Sequence, residues 1–261
     1  MKYSRIIFPL IVSFSLLAAS CAQPLKTIRR NPPQCNAGEI RNEILTRISA
    51  IKSLRSKTNV KIMKDSGHVI TFPADFTLRM PGEFRADILG PFLEIEGFLI
   101  IKDGMFLSIS MPEKMARAGV ANQAAMVKFL GLPIEPAILI SILGGMPQAV
   151  KVQKGEISIS GSCDTALITR ADGASEEKYF ISLSNLALQK VVLGNQEQSG
   201  RSITMELDWS SAGTDAVLKK ISAHIEGKPG FVEIRYQDTE TGTEIKDGEF
   251  NMDVPAGFRF E

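Results

Sequence analysis

Side chains of the types that usually perform catalysis are few and scattered in this sequence. The two histidines, His68 and His224, are far apart in strand-like contexts, where a lone histidine is more often a surface residue than a base. The chain has no Gly-x-Ser-x-Gly elbow, no His-Glu-x-x-His pair and no glycine-rich phosphate loop. The acidic stretch 238–244 lacks EF-hand spacing and is typical of a solvated hairpin tip. We therefore expect no catalytic residue, no metal site and no cofactor.

The three cysteines occur in two kinds of surroundings. Cys21 follows an apolar run and several small residues, whereas Cys35 and Cys163 are far apart and match no metal-site spacing. If Cys21 carries a lipid, the other two remain, and an oxidising compartment permits a disulfide between them. Such a bond would join the N-terminal segment to the strand near Gly161. Two free thiols are the alternative.

The first twenty residues have the parts of an export signal: Lys2 and Arg5, then an apolar run over 6–19, then small residues. The run is too short to be a stop-transfer span. Residues 17–21 (LAASC) resemble the lipobox of bacterial lipoproteins, whose cysteine is lipidated and whose leader is cut before it. The resemblance implies a signal peptide over 1–20 and lipid attachment at Cys21. Plain secretion by an ordinary signal peptidase is the alternative.

Residues 21–37 contain three prolines and several basic residues, which favours a lipid-anchored tether over a folded element. At roughly 3.3 Å per extended residue, such a tether reaches about 50 Å from a bilayer. In the enterobacterial sorting rule, an aspartate after the lipidated cysteine retains a lipoprotein in the inner membrane, and Ala22 stands there instead. The resemblance thus implies a protein of the bacterial outer membrane that faces the periplasm.

The composition argues against a nucleic-acid partner. It has 261 residues, and 30 Lys and Arg nearly balance 29 Asp and Glu, so it has no electrostatic footprint for nucleic acid. One Trp and three Tyr provide no aromatic platform for single strands. We expect no nucleic-acid binding. The length after the leader suits one β-rich domain, residues 38–261.

Periodicity predicts one helix followed by a long series of strands. Asn36 and Glu39 form a capping-box start for a helix over 36–57, with isoleucines on one face. Beyond it the period changes to two, turn signals separate roughly eleven strands, and Pro73 indicates an edge or a bulge. Strands with one apolar face, in such number, curl toward a barrel. The predicted strands cover 60–62, 69–78, 84–88, 98–101, 105–110, 150–152, 157–159, 179–188, 203–209, 221–225, 232–236 and 250–254.

A pair of apolar helices interrupts the strands. The first covers 121–130 and ends at Gly131, a favourable residue just after a helix. A proline opens the second, 136–143, whose only polar side chain is Ser141. A helix that is apolar on every side is buried. It is either part of a lid, covering about 112–147, over an apolar cavity, or a core helix in an ordinary sandwich.

The loop and the helical pair resemble the outer-membrane lipoprotein receptor LolB and its relatives in the LolA/LolB half-barrel superfamily. Members of this family have a proline and an apolar residue in an exposed loop after a strand. Gly-x-Pro-Ile then lies between two lid helices, and Ile-Leu-Gly precedes a proline at the end of the lid. This chain has these features in the same order, within residues 84–148, at Pro91-Phe92, 131–134, 142–144 and Pro147.

The resemblance implies a mainly β fold with helices (α+β): a curved antiparallel sheet forming an unclosed β-barrel, with an N-terminal helix and a helical lid. It implies a receptor that accepts lipoprotein acyl chains from a soluble periplasmic carrier and helps to insert them into the outer membrane. An apolar cavity can hold an acyl chain without catalysis, because each buried methylene contributes about 0.8 kcal/mol.

Two groups of residues form the predicted site. Pro91, Phe92 and Leu93 form a loop that dips into the bilayer, or else are ordinary core residues at the end of a strand. The acyl-chain cavity and its lid are lined by apolar side chains of the strands and the helical pair: Phe84, Ile88, Phe98, Phe129, Leu130, Ile138, Leu139, Ile142 and Leu143.

Two other functions remain open on the sequence. A carrier of free lipid or glycolipid would use the same half-barrel, and a structural lipoprotein that scaffolds envelope partners would bind no lipid. An open apolar cavity under the lid separates the two binding functions from the scaffold. The type of ligand and the transfer activity separate the receptor from the carrier.

Overall fold

The computed structural model describes residues 35–172, 175–195, 201–210 and 216–261. The predicted signal peptide, the lipidation site Cys21 and the predicted tether up to residue 34 lie outside the described residues. Within the described ranges, no helix is both long and apolar enough to cross a membrane.

The described part of the chain forms a 14-stranded sheet with four α-helices and one 3-10 helix. The helices are α1 (Ala37–Ala50), α2 (Gln123–Leu130), α3 (Pro136–Leu143), α4 (Ala149–Lys154) and the 3-10 helix Asp247–Phe250. The strands are β1 (Ser53–Met63), β2 (Val69–Arg79), β3 (Glu83–Leu89), β4 (Ile95–Lys102), β5 (Met105–Ser110), β6 (Met115–Val120), β7 (Glu156–Ile159), β8 (Thr165–Asp172), β9 (Ser175–Ser182), β10 (Leu188–Asn195), β11 (Ser202–Trp209), β12 (Leu218–Ile225), β13 (Phe231–Thr241) and β14 (Arg259–Phe260).

The strands make two meanders that meet in the middle of one sheet. Their order is β14-β6-β5-β4-β3-β2-β1-β13-β12-β11-β10-β9-β8-β7, and β1 pairs with β13 at the junction. All neighbours are antiparallel except β14, which runs parallel to β6. The outermost strands, β14 and β7, do not pair with each other. The sheet is therefore curved and unclosed, which confirms the predicted fold class.

The helices α2, α3 and α4 connect the two sides of this sheet. They lie between β6 and β7, which stand at opposite ends of the strand order. A connection between those strands must cross the open side of a curved sheet, so the topology itself places the three helices there. Helix α1 packs against α4 and β7 on the same side.

The antiparallel register gives the sheet two ends, which we call upper and lower. The upper end carries turns 90–94 and 226–230, and the lower end carries turns 103–104 and 160–164. The chain enters the helical segment at the lower end, after β6, and leaves it at the upper end, before β7.

Apolar side chains pack on both faces of the sheet. The larger cluster lies on the inner face, together with α1, α2 and α3. A second cluster lies on the outer face, where residues 245–258 cover β4, β5 and β6. Strand β4 contributes to both, since Leu99 and Ile101 face inward whereas Phe98 and Ile100 face outward. The second cluster contains Phe98, Ile100, Leu107, Ile109, Ala116, Ile245 and Phe250.

The predicted helix over 36–57 is shorter in the structure. Asn36 caps α1 through its side-chain oxygen, which accepts from the Gly38 N–H at 2.8 Å, but the helix ends at Ala50. Strand β1 begins at Ser53 and pairs with β2 on one side and β13 on the other. Two long ladders of sheet hydrogen bonds outweigh the weak helix propensity of this stretch.

Four further segments differ from the predictions. Residues 179–188, predicted as one strand, contain the end of β9, a turn and the start of β10. Residues 150–152, predicted as a strand, lie in α4, because a short alternating run cannot be distinguished from one helical turn by its period. Residues 115–120, predicted as part of the lid, form β6. Residues 250–254, predicted as a strand, follow the 3-10 helix as irregular chain. Pro73 lies in β2 where β3 no longer pairs with it, so that side of β2 is a local edge, as predicted.

Candidate functional site

Helix α3 fills the inside of the unclosed sheet. Pro136 occupies the first turn, where its missing N–H costs nothing, and every residue of the helix except Ala137 is buried. The Ser141 hydroxyl donates to the Ala137 carbonyl at 3.0 Å, which satisfies it within the helix. The helix therefore presents an apolar surface on all its buried sides, and the prediction of a buried helix is confirmed.

The C-terminal end of α3 is fixed to the sheet by close packing and one hydrogen bond. A Cβ at Gly145 would lie 2.6 Å from the Trp209 ring, and the φ of Gly145 is +76°, so a glycine is required there. The Tyr236 hydroxyl donates to the Leu143 carbonyl at 2.9 Å. Burial raises the pKa of Tyr236, so the hydroxyl keeps the proton that it donates. We use lid as the name for helices α2 and α3, and we call this bond the lid latch.

Helix α2 covers the inner face with one side only. The Asn122 side chain caps it by accepting from the Ala125 N–H at 3.0 Å, and Gly131 ends it in the left-handed conformation, as predicted. The Phe129 ring packs edge-on against Phe106 of β5, with 5.1 Å between the ring centroids. Its neighbour Leu130 is half-buried against the main cluster.

Three cavities formed by described residues surround α3. The upper cleft, about 390 Å³, lies between the start of α3 and the upper ends of β9 to β12. The lower cleft, about 540 Å³, lies between α3 and the lower turns of the other meander. The side cleft, about 250 Å³, lies between α1 and the end of α3. Glu135 lines the upper and lower clefts, and Met80 and Pro81 line the lower and side clefts. The lower cleft therefore adjoins both of the others.

A buried ion pair fixes α4 at the edge of the upper cleft. Lys151 Nζ lies 2.5 Å from Glu177 Oε1, with only 14% and 11% of the two side chains exposed. The Tyr179 hydroxyl donates to the other oxygen of Glu177 at 3.0 Å. Burial, and then the charge of Glu177, raise the pKa of Tyr179. Both carboxylate oxygens of Glu177 thus have partners, as a buried charge requires.

The loop between β3 and β4 exposes apolar side chains at the upper end. The Gly90 N–H donates to the Glu94 carbonyl, and the Leu93 N–H donates to the Gly90 carbonyl. The Phe92 N–H donates to the Glu94 carboxylate at 2.9 Å. The loop thus satisfies its own backbone hydrogen bonds. Its side chains are exposed: Phe92 is 89% exposed, Leu93 is 69% exposed, and Pro91 is exposed as well. The alternative that these are core residues is wrong.

Most of the predicted cavity residues lie on the inner face, but few line a cavity. Phe84 is buried there, and Ile88, two residues further along β3, pairs with Ala74 of the main cluster. Ile138 lines the upper cleft. The remaining lid residues pack into the main cluster without lining the three clefts: Leu139, Ile142 and Leu143.

Phe98 lies on the opposite face of the sheet. It packs in the second cluster, and the Arg85 guanidinium lies 5.2 Å from its ring centroid. The prediction that Phe98 lines the acyl-chain cavity is therefore wrong. Strand β4 is apolar on both faces, so its sequence lacks the alternation that would have shown which side chains point inward.

Sequence reasoning missed the residues that hold the lid in place. Trp209 is the only tryptophan and ends a strictly alternating strand, which was the one available signal. Tyr236 lies within β13 and belongs to the alternating buried positions of that strand. Lys151 was assigned to a strand, so its pairing with Glu177 had no basis in the sequence. Long-range partners of this kind carry no local pattern.

The two remaining cysteines form a disulfide. Cys35 and Cys163 are joined, with 6.2 Å between their Cα atoms. The bond connects the residue before the cap of α1 to the turn between β7 and β8, at the lower end of the sheet. Of the two alternatives left open by the sequence, the structure has the paired one.

Several solved structures share this architecture. A DUF1329 family protein from Desulfovibrio piger aligns with a TM-score of 0.59 at 8% identity, over 82% of this chain and 95% of that one. A domain described as an outer membrane lipoprotein-sorting protein, from Vibrio parahaemolyticus, aligns with a TM-score of 0.57 at 10% identity, over 83% and 97%. A LolA superfamily protein from Nitrosomonas europaea aligns with a TM-score of 0.53 at 11% identity, over 82% and 97%.

These likenesses extend over nearly the whole of each solved chain, so they concern the complete sheet and its helices. No protein-family model and no curated protein matches the sequence. At such low identities, structural likeness shows the fold alone. The chain shares its curved, unclosed sheet with LolA-like proteins.

Proposed function

We propose that this protein is a lipid-binding lipoprotein of the bacterial envelope. More specifically, we propose an outer-membrane receptor of the LolB kind, which accepts lipoprotein acyl chains under its lid and helps to insert them into the outer membrane. Its role is binding and transfer without catalysis. The observation that carries the proposal is the apolar helix α3, which lies inside the curved, unclosed sheet and is bordered by three cavities.

The energetics of lid movement favour an exchange over a simple opening. An acyl chain of about fifteen methylenes contributes on the order of 12 kcal/mol when it is buried. The lid latch contributes only about 1 kcal/mol, so it does not prevent movement. Exposing the isoleucines and leucines of α3 would cost about 1.5–3 kcal/mol each. The helix must therefore remain covered while it moves, and the adjoining clefts provide space for that.

The exposed loop supports delivery to a membrane. Phe92 and Leu93 project at the upper end of the sheet, which is also the end where the upper cleft lies. The free energy of exposed apolar side chains falls when they move from water into a bilayer interface. A chain leaving the upper cleft would thus emerge at the same end of the sheet as the membrane-contacting loop.

The membrane anchor and the partner belong to the same proposal. Lipidation at Cys21 rests on the lipobox-like residues 17–21. The outer-membrane location rests on the same segment and on the resemblance of the lid to that of LolB. The fold shared with lipoprotein-sorting and LolA-like structures supports a soluble periplasmic carrier as the donor of acyl chains.

The test is mass spectrometry of material bound to the Cys21→Ser protein without residues 1–20, after incubation with a lipoprotein-loaded carrier. We expect triacylated lipoprotein taken from the carrier. Phospholipid or glycolipid alone would contradict the receptor function and leave a lipid carrier. An empty protein would contradict lipid binding altogether and favour a structural lipoprotein.

A matched pair of variants shows whether the bound material lies under the lid. Ile203→Trp adds bulk inside the upper cleft, and Val120→Trp adds a similar bulk at an exposed position on β6. We expect the first variant to bind less lipid and the second to bind as much as the unaltered protein. Equal loss in both would contradict binding in this cleft.

A further inference from the structure

We propose that the upper cleft binds the anionic headgroup of an amphiphile, a phosphate or a carboxylate, with the acyl chain directed under α3. This rests only on the lipid-binding part of the proposed function and concerns an anionic lipid held in the absence of lipoprotein, because the triacylated end of a lipoprotein has no anionic headgroup. The upper cleft is the space between α3, the upper ends of β9 to β12 and the turn 226–230.

The cleft has basic side chains on its sheet side. Arg201 and Lys228 both line it, one before β11 and the other after β12. Among the described residues, Arg201 is exposed and has no ion-pair or hydrogen-bond partner. Lys228 Nζ lies 3.0 Å from Asp65 Oδ2, but 36% and 55% of these side chains are exposed. Such an exposed pair is weak, so Lys228 can turn to an anionic ligand at little cost.

The acidic side chains of the cleft do not cancel this positive charge. Glu177 is neutralised by Lys151 and accepts a second hydrogen bond from Tyr179. Glu135 lies on the lid side, at the start of α3, where the cleft borders the lower cleft. The sheet side therefore offers a guanidinium and an ammonium group to a ligand, which are the groups that bind phosphate and carboxylate most strongly.

The part of the cleft wall toward α3 is apolar and continuous with the main cluster, whereas Gln123 and Ser175 add polar groups elsewhere on the wall. Leu193, Ile203 and Ile225 are neighbours across three paired strands, since Leu193 pairs with Ile203 and Ile203 pairs with Ile225. Ile134 and Ile138 face them from the lid. The cleft thus has charge at its upper edge and apolar side chains toward α3. A headgroup at the edge places its chain where α3 now packs, and the volume lies within the usual range for ligand pockets.

The test compares headgroups. The Cys21→Ser protein without residues 1–20 is incubated with three kinds of vesicle: phosphatidylcholine alone, phosphatidylcholine with phosphatidylglycerol, and phosphatidylcholine with palmitate. Bound lipid is measured by native mass spectrometry after the vesicles are removed. We expect phosphatidylglycerol or palmitate to be enriched over phosphatidylcholine. Enrichment of the first identifies a phospholipid, enrichment of the second identifies a free fatty acid, and either supports the proposal.

Two double variants locate the preference. Arg201→Gln with Lys228→Gln removes both basic groups, and we expect the enrichment to fall about tenfold, the loss typical of hydrogen bonds to charged groups. Arg259→Gln with Lys219→Gln removes the same two charges from exposed positions outside the cleft and should leave the enrichment unchanged. All four side chains are at least partly exposed, so both variants should fold, which thermal unfolding verifies.

Other outcomes separate this proposal from the proposed function. If the protein binds lipid but takes phosphatidylcholine as readily as the anionic lipids, the headgroup site is wrong and lipid binding stands. If the Arg201 and Lys228 variant keeps the full enrichment, the headgroup site is again wrong. If no vesicle lipid and no lipoprotein is bound by any form, the proposed function fails, and the headgroup site fails with it.

Discussion

Phe92 and Leu93 hold two large apolar side chains in water on a loop that satisfies its own backbone hydrogen bonds. Nothing in the fold requires these side chains for packing, because the loop geometry rests on Gly90 and Glu94. Exposed apolar side chains of this kind mark a surface that contacts a membrane or another molecule.

Replacing the tip should separate membrane contact from folding. For Phe92→Glu with Leu93→Glu we expect an unchanged melting temperature, since both side chains are exposed, and slower transfer of lipoprotein to liposomes. Transfer at the normal rate by a folded variant would contradict the membrane role. Met105→Glu with Val120→Glu is the control, because these exposed apolar residues pair at the lower end of the sheet.

Removing the lid latch should loosen the lid. Tyr236→Phe leaves the buried Leu143 carbonyl without its partner, which costs about 1–3 kcal/mol in the closed state. We expect a lower melting temperature, faster hydrogen exchange in α3 and faster uptake of lipid. Ser141→Ala is the control, since it removes a hydroxyl bond inside α3 and no bond to the sheet. Equal exchange rates in α3 for both variants would contradict the latch.

Among the elements, those with long and unambiguous patterns were predictable. Helix α3 was identified because its sequence leaves it no polar face, and α2 because Gly131 ends it. The strands with strict alternation, such as β11, were identified within a residue or two of their bounds. The position of the loop at Pro91 and Phe92 followed from the resemblance to LolB. The choice between an exposed loop and core residues required the structure.

The elements that were wrong depend on pairing between distant segments. Strand β6 reads as part of the lid until β5 and β14 are seen on either side of it. The end of α1 is set by the partners of β1, which lie far along the chain. Phe98 was placed on the wrong face because β4 is apolar on both. In each case the structure of the segment depends on tertiary contacts, which local sequence patterns do not show.

On the scale of the whole molecule, the C-terminal segment, residues 245–258, holds strands of the first meander, β1 to β6, together from outside. Glu249 forms an ion pair with Arg55 of β1, and Asp247 forms one with Arg79 of β2. Phe250 is fully buried in the second cluster, with the Arg79 guanidinium 5.2 Å from its ring centroid. The segment therefore joins β1 and β2 to the strands that it covers, and its attachment depends on two carboxylates.

Low pH should release this segment before the sheet unfolds. The hydrogen bond from Arg79 lowers the pKa of Asp247 from 3.8; burial acts to raise the pKa of Glu249, but the hydrogen bond from Arg55 and other contacts bring it below 4.5. A depressed pKa stabilises the folded state above the unfolded value and ceases to do so as the pH falls through the folded value. We expect proteolysis near residues 247–249 to accelerate below about pH 4.5.

The control for this prediction removes one of the basic partners. In Arg55→Gln, Glu249 loses its ion pair, so its folded pKa moves back toward the unfolded value; proteolysis should already be faster at neutral pH and should accelerate less as the pH falls. A pH profile that is the same with and without Arg55 would show that the segment is held by its apolar contacts alone.

The disulfide at Cys35 determines where a lipid anchor would pull. It lies at the lower end of the sheet, whereas Phe92 lies at the upper end. Strand β2, with 11 residues, is about 36 Å long. Residues 22–35 span roughly 46 Å when fully extended. If Cys21 is lipidated, as we propose, the chain from Cys21 to Cys35 is just longer than the sheet and is attached at the end opposite Phe92. A fully extended tether would hold the Phe92 loop away from the anchoring membrane and toward an approaching carrier. A tether lying alongside the sheet would let the same loop reach the anchoring membrane.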